Sequence, residues 1–355
     1  MVKKNYTNSN NNENIFPYSD RLSTNSSEGG GGIKINLIIN NLKGIKNKLN
    51  ECFMISTLQC LIHCKPFIEE IIKEENNLFG ILEQFYEICR IQSLDKSYSL
   101  TSLDSFKEAF NKKEFCDGEQ HDSMEFCRYL LEQISDEINS GKKFLYESLD
   151  YEGMPLKESY AVYKNNIFQR ENIMKIFNLN IASKFQCNIC KRESISYQSS
   201  VGLPLLFMNE KDISLDDLVE EYFKNETVEK ECKNCKQNVK TIKTTKICEL
   251  PQILILCIQR EENDKVIKLN KDLKLDKYIE EDLKNNINNC SYKIKSIINH
   301  IGNKKEGHYY CYINIENKYY EFNDSSVKER EIDMENNTSY IIYYEKIINE
   351  NQNNK

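Results

Sequence analysis

The stretch Gly44-Ile-Lys-Asn-Lys-Leu-Asn-Glu-Cys52-Phe-Met-Ile-Ser-Thr-Leu-Gln-Cys-Leu61 decides how the rest of the chain is read. Polar residues, Asn47, Asn50 and Glu51, precede Cys52, and an apolar, helix-like run of Phe53, Met54, Ile55, Leu58, Leu61 and Ile62 follows it. A cysteine at such a junction sits at or near a helix N-terminus. There, unpaired backbone N–H groups and the positive end of the helix dipole favour thiolate over thiol. That is how a protein makes a cysteine nucleophilic near neutral pH. The plainer alternative is that Cys52 is one small core hydrophobe among 14 cysteines. It rises above that alternative only if a histidine and an orienting polar residue stand elsewhere in the chain.

Both are present far downstream. The chain has four histidines, His63, His121, His300 and His308. The last two lie in Asn299-His300-Ile301-Gly302 and Gly307-His308-Tyr309-Tyr310-Cys311-Tyr312. His308 opens a strand-like run, and the next such run, Lys318–Phe322, ends in Asn323-Asp324-Ser325-Ser326. A hairpin turning near 315–317 sets His308 roughly opposite Asn323 or Asp324, within a residue or two of register. An amide or carboxylate there accepts from the imidazole and holds its tautomer. Without such partners, a histidine on a strand is ordinarily a structural residue. Between these regions lies Gly118–Phe126, GEQHDSMEF, a polar loop entering a helix. Asp122 is its N-cap candidate, in capping-box spacing with Glu125.

Two CxxC pairs, Cys187-Asn-Ile-Cys190 and Cys232-Lys-Asn-Cys235, form a separate constellation. Each makes a tight knuckle, and four thiolates complete a tetrahedral zinc site. The pairs stand further apart than a compact zinc ribbon allows, so they belong at the tips of two hairpins clamped by the metal. Such a site is closed and its zinc structural. The rival readings are a redox CxxC, which lacks the expected flanking βαβ pattern, and four free thiols. The other cysteines show no pairing, and Cys60 and Cys64 are expected to be buried.

Composition narrows the setting. The 355 residues carry a net charge of −7, which is wrong for a nucleic-acid binder by electrostatics. The first residues contain no apolar signal-peptide core and no apolar run reaches ~18 residues, so neither export nor membrane insertion is expected. The cysteines then read as reduced thiols in an intracellular protein of cytoplasm or nucleus. Residues 1–32, Asn/Ser-rich and ending in four glycines, and residues 348–355 read as disordered. Ile33–Ile39 reads as a short strand. From Cys52 to about Ile138 the period is helical, with Pro66 and Asp122 at helix starts. From about Tyr160 onward strand-like runs dominate: Ser194–Leu206, Gln252–Ile258, Tyr292–Ile298, Tyr309–Ile315, Lys318–Phe322 and Ser339–Tyr344. Helices first and sheet later is an α+β arrangement.

Taken in order, these pieces resemble the ubiquitin-specific protease family. The 44–61 stretch is similar to that family's cysteine box, and Glu119-Gln120-His121-Asp122-Ser-Met-Glu-Phe126 to its acidic-glutamine box. Gly307-His308-Tyr309 with Tyr319-Tyr-Glu-Phe-Asn323-Asp324-Ser-Ser-Val327 is similar to its histidine box. Leu250-Pro-Gln-Ile-Leu-Ile255 and Tyr340-Ile-Ile-Tyr-Tyr344 resemble its palm strands, and the CxxC pairs fall where it carries zinc-bound fingers. The likeness runs from about Leu42 to Lys346. It implies a papain-like cysteine protease fold over 33–347, with a helical thumb at about 44–150, zinc-bound β fingers at about 180–250 and a β-sheet palm for the remainder. The implied reaction is hydrolysis after the C-terminal glycine of ubiquitin, by a monomer acting on ubiquitin and ubiquitinated proteins. In that reading Cys52 is the nucleophile and His308 the general base, then acid. Asn323 orients His308, with Asp324 the close alternative, and Asn47 donates to the oxyanion. Asp122, Tyr309 and Gln120 fall at substrate-binding positions, and Cys187, Cys190, Cys232 and Cys235 hold structural Zn2+.

Three departures stand out. Leu49 replaces a glycine, at a cost of about 1 kcal/mol if that backbone needs φ > 0. Glu51 places a carboxylate beside the thiol, which opposes ionisation unless it points outward along the helix dipole. Ile55 stands where the family has asparagine. They keep open a ubiquitin-binding scaffold with weak or no catalysis, and the two CxxC pairs keep open a zinc-held interaction module unrelated to ubiquitin.

Overall fold

The computed structural model describes residues 42–93, 102–110, 113–139, 151, 153–167, 173–207, 212–260, 265–287, 289–302 and 307–347. All belong to the unit Ile35–Lys355. The expected terminal tails and the expected strand Ile33–Ile39 lie outside the described residues.

The first half is helical. Helix α1 (Cys52–Ile62) is followed by α2 (Lys65–Lys73), α3 (Gly80–Ser93), α4 (Asp104–Ala109) and α5 (Ser123–Ile138). All eleven residues of α1 are buried. A helix apolar on every side forms at the centre of a domain, because it can bury all its faces only there. Its Leu58 is fully buried, so Leu58→Ala would cost about 2–5 kcal/mol. Pro66 sits in the first turn of α2, where its missing N–H is not needed. Asp122 caps α5 through Oδ1, accepting from the backbone of Met124 at 2.7 Å and Glu125 at 2.9 Å. The far end of α5 returns the favour to α3: the Glu137 carboxylate accepts from Ile81 and Leu82 N–H at 3.0 and 2.8 Å.

The second half is mostly sheet. Helix α6 (Leu156–Ile167) precedes strands β1 (Asn178–Cys187), β2 (Glu193–Val201), β3 (Leu203–Phe207) and β4 (Ile213–Ser214). Helix α7 (Leu215–Phe223) then leads to β5 (Glu226–Cys232), β6 (Gln237–Glu249), β7 (Ile253–Arg260), β8 (Ile267–Lys268) and β9 (Asp272–Lys274). The chain closes with β10 (Ser291–Gly302), β11 (Gly307–Ile315), β12 (Lys318–Asn323), β13 (Ser326–Glu329), β14 (Glu335–Asn336) and β15 (Ser339–Lys346). The large sheet runs β13-β12-β11-β10-β15-β7-β3, with β9 on the end of β10. A second, antiparallel sheet runs β2-β1-β6-β5, and a small one β14-β8-β4.

The sheet is covered on both faces. Along β7, Ile253, Ile255 and Cys257 join the core around α1, while Leu254, Leu256 and Ile258 join the core on the α7 side. Residues of period two facing two apolar layers give a strand without polar alternation, as in the run Ile253-Leu-Ile-Leu-Cys-Ile258. The result is the α+β, papain-like arrangement: a helical thumb packed on a sheet palm, with a fingers sheet projecting. Helices α6 and α7, strands β1, β5 and β6, and the short strands β4, β8, β9, β13 and β14 went unread in the sequence. For α7 the signal was present: Ser214 and Asp217 form a capping box. Strand β5 is rich in Glu and Lys and mostly exposed, while β1 and β6 place polar residues, Asn180, Thr241 and Thr245, at buried positions, so their apolar alternation is weak. Among the described residues no helix is long and apolar enough to cross a membrane.

Candidate active site

Cys52 begins α1, and the loop before it is held from three directions. Asn50 takes the left-handed conformation, φ +50°, and its side-chain amide donates to Gly118 O at 2.9 Å. Asparagine tolerates that region, so the turn is made there and Leu49 needs no positive φ. The anticipated strain at Leu49 is therefore absent, and its side chain is 65% exposed. Glu51 follows neither course expected of it. Its side chain is buried, pairs with Lys107 of α4, and accepts from Lys48 N–H at 3.0 Å. The third anchor is Gly44, packed against the backbone of Asp324 and Ser325. Beside it Ile45 N–H donates to Asp324 O at 3.0 Å.

His308 reaches Cys52 from β11. Strands β11 and β12 pair from Ile315↔Lys318 to Cys311↔Phe322. They turn at Glu316 and Asn317, both with positive φ, which is the twist that favours a two-residue hairpin. Extending that ladder sets Asn323 opposite Tyr310, so His308 and Asn323 are diagonal neighbours on one face. His308 Nε2 donates to Asn323 Oδ1 at 2.8 Å. The other ring nitrogen is then the one available to the Cys52 thiol. The neighbouring Cys52 is the main reason the His308 pKa is raised from 6.5 to about 9; partial burial opposes it and Asn323 adds to it. Of the two orienters left open in the sequence, Asn323 thus pairs with the imidazole. Asp324 turns to Asn47 instead, accepting from Nδ2 at 3.1 Å, while Asn47 Oδ1 accepts from Glu51 N–H at 3.1 Å.

The acidic-glutamine segment closes the other side. Gln120 brackets the backbone of Gly307: its Nε2 donates to Gly307 O at 2.5 Å and its Oε1 accepts from Gly307 N–H at 2.8 Å. In this structure Gln120 thereby holds the strand end that carries His308. Gly307 has no room for a side chain, since a Cβ would come within 2.2 Å of His300 Nε2. His300 lies over Tyr309 with ring centroids 4.4 Å apart. Asp122 uses Oδ1 as the α5 cap, and its Oδ2 accepts from Tyr340 O–H. His300, Tyr340 and Lys107 were not singled out as site residues in the sequence. Only His300 carried a visible signal, through its place beside Gly302 ahead of the His308 strand.

The four CxxC cysteines meet at the tips of the β1–β2 and β5–β6 hairpins, each knuckle followed by a left-handed lysine, Lys191 or Lys236. Cys190 and Cys235 N–H point at Cys187 and Cys232 Sγ, both at 3.5 Å. The sulfurs of Cys187 and Cys235 are 3.9 Å apart and those of Cys190 and Cys232 3.7 Å. Four thiolates at ~2.3 Å from a tetrahedral ion stand ~3.8 Å from one another. The cluster therefore has the size to hold a metal ion. Cys60, Cys64, Cys89, Cys127, Cys248, Cys257 and Cys311 are buried, as small core residues.

Fold and site together define a papain-like arrangement, a helix-borne thiol facing a strand-borne imidazole. Residues 43–344 match the family model described as ubiquitin carboxyl-terminal hydrolase, and the chain belongs to that family. It is 23% identical over 336 residues to ubiquitin carboxyl-terminal hydrolase Usp2 of Drosophila melanogaster, covering 86% of this chain and 35% of that protein. With ubiquitin carboxyl-terminal hydrolase 2 of Homo sapiens it is 25% identical over 338 residues, covering 86% of this chain and 55% of that one. The chain thus spans less than two thirds of the length of these relatives. The fold is also that of a chain in the solved SAGA DUB module Ubp8/Sgf11/Sus1/Sgf73 bound to monoubiquitin. That likeness has a TM-score of 0.69 at 21% identity and covers 88% of this chain and 70% of the other.

Proposed function

We propose that this protein is a deubiquitinating thiol protease that hydrolyses the isopeptide or peptide bond after the C-terminal glycine of ubiquitin. The observation that carries the reading is the His308–Asn323 hydrogen bond beside the helix-borne Cys52 on a chain of this family. The Cys52 sulfur, its proton held by His308, attacks the scissile carbonyl carbon. The carbonyl oxygen becomes an oxyanion, and the Asn47 Nδ2 hydrogen not used by Asp324 donates to it. Such a donor contributes about 3 kcal/mol in the transition state. The C–N bond then breaks, the imidazolium protonates the leaving amine, and a thioester to Cys52 remains. Water attacks the thioester as His308 takes its proton, releasing the ubiquitin carboxylate and the thiol. Asn323 keeps the ring in the tautomer and orientation both steps need.

Asp122 and Tyr309 line the approach of the ubiquitin tail in this reading. Oδ2 of Asp122 already accepts from Tyr340, and an arginine of the tail would share that oxygen through a charge-assisted bond. The catalytic domain would comprise 33–347. Cys187, Cys190, Cys232 and Cys235 would hold a structural Zn2+ that ties the two finger hairpins together. A single chain supplies every group, so the acting species is a monomer. The scaffold alternative drew its force from Leu49 and Glu51, and that force is reduced by the relaxed backbone at Leu49 and the cation beside Glu51.

The test is turnover of a fluorogenic ubiquitin C-terminal amide by the wild-type chain and by Cys52→Ala and His308→Ala. Release of the fluorophore by the wild type alone supports the reading. Ubiquitin binding without turnover leaves a scaffold.

A further inference from the structure

The sequence sets a carboxylate directly before the candidate nucleophile, and the fold answers it with a cation from elsewhere. Glu51 has a side chain only 4% exposed, and Lys107 of α4 one that is 22% exposed. The pair closes a ring of contacts. One Glu51 oxygen accepts from Lys48 N–H and the other meets Lys107 Nζ, while Glu51 N–H donates to Asn47 Oδ1. A second ion pair joins the same loop to the same helix, Lys48 to Asp104, but it is exposed and contributes little. Cys116 also faces the pair, its thiol donating to Lys107 O at 3.7 Å, and on the sheet side His308 and Tyr309 act on Cys52.

We infer that Lys107 and Glu51 are positioning residues for the thiol. Lys107 neutralises the carboxylate next to Cys52, and through it α4 holds the 47–51 loop in the geometry that presents Asn47. The part concerning Asn47 rests on the hydrolase reading; the part concerning the sulfur does not. An unneutralised carboxylate on the residue before a thiol disfavours the thiolate, whereas an unpaired ammonium favours it.

The experiment uses the full chain with Lys107→Met, Glu51→Gln, the double variant and Lys107→Arg. Alkylation of Cys52 by iodoacetamide is followed by peptide mass spectrometry, beside kcat and KM on the fluorogenic ubiquitin amide. Lys107→Met is expected to slow Cys52 alkylation about tenfold, the order of one uncompensated charge on the adjacent residue. It should also lower kcat with little change in KM. Glu51→Gln should speed alkylation, the double variant should return close to wild type, and Lys107→Arg should match wild type. Wild-type alkylation in Lys107→Met, or a double variant as slow as Lys107→Met, overturns the inference. Should Lys107→Met not fold, Glu51→Gln decides alone: faster alkylation supports the pair and an unchanged or slower rate refutes it. If the wild type releases no fluorophore while the alkylation series holds, the hydrolase reading fails and the pairing stands. If the wild type turns over and all variants alkylate alike, the reverse is true.

Discussion

Gly44 is the point where the cysteine loop and the histidine hairpin touch, and it leaves no space for a methyl group. A Cβ there would lie 2.4 Å from Asp324 O and from Ser325 Cα and C, against 3.4–4 Å for ordinary contact. All three are backbone atoms, which no rotamer change can move aside. Gly44→Ala therefore forces the segments apart by about 1 Å, an overpacking that costs about 1–3 kcal/mol. It also strains the Ile45 N–H to Asp324 O bond, 3.0 Å long, worth about 1 kcal/mol more. A total of about 2–4 kcal/mol lowers Tm by roughly 3–5 °C in a chain of this size. One segment carries Asn47 and Cys52 and the other Asn323, so the same shift misaligns the site. A displacement of that size can lower turnover about 100-fold. Gly118→Ala is the control: its φ is +87° but no described atom lies within 4 Å of the added carbon. It should cost about 1 kcal/mol through the backbone alone and leave kcat within a few fold. Thermal unfolding and turnover of the fluorogenic amide read both effects. Wild-type Tm and kcat in Gly44→Ala would refute the claim that this contact aligns the two halves.

Other consequences concern protons and metal. Asn323→Ala should lower kcat by roughly 100-fold by freeing the ring, and its alkaline limb should move below that of the wild type. His308 has a folded pKa of about 9, above its ordinary 6.5. The stability it contributes is therefore whole below about pH 6.5 and lost as pH rises through about 9, so the Tm gap between wild type and His308→Ala should narrow over that window. His63 behaves oppositely. Burial lowers it to about 4, so the unfolded chain takes up its proton first and stability falls between pH 6.5 and 4. His63→Asn should flatten that acid loss in a Tm–pH series, and an unchanged slope would count against it. Removing metal with a chelator should release zinc and lower Tm, with Cys190→Ser doing the same. Cys52 alkylation should persist, because the finger cluster and the thiol are held by different sheets and helices.

Much of this was legible in the chain itself, for identifiable reasons. The start of α1 could be read because polar residues give way to an apolar run at Cys52, and the run Ile253–Ile258 because both faces of β7 are buried. The His308–Asn323 pairing was legible to within a residue or two, as register allowed, because a two-residue turn leaves few alternatives. The choice between Asn323 and Asp324 was not, since it depends on the diagonal geometry of β11 and β12 and on the left-handed turn at Asp324. Glu51 was visible but its partner was not: Lys107 comes from a six-residue helix with only Phe106 fully buried, too short to show a period. Tyr340 escaped because a tyrosine on a palm strand reads as core, and only the fold aims its hydroxyl at Asp122. The strands of the fingers escaped because polar residues such as Asn180, Thr241 and Thr245 stand at their buried positions and blur the apolar alternation that marks a strand.

The most direct measurement is the intact mass of the protein after incubation with ubiquitin bearing a C-terminal electrophile, followed by mapping of the modified residue. Catalysis through Cys52 requires one ubiquitin added per folded chain, on Cys52, and none on Cys52→Ala. A folded sample that forms no adduct, or forms it on another cysteine, would contradict it.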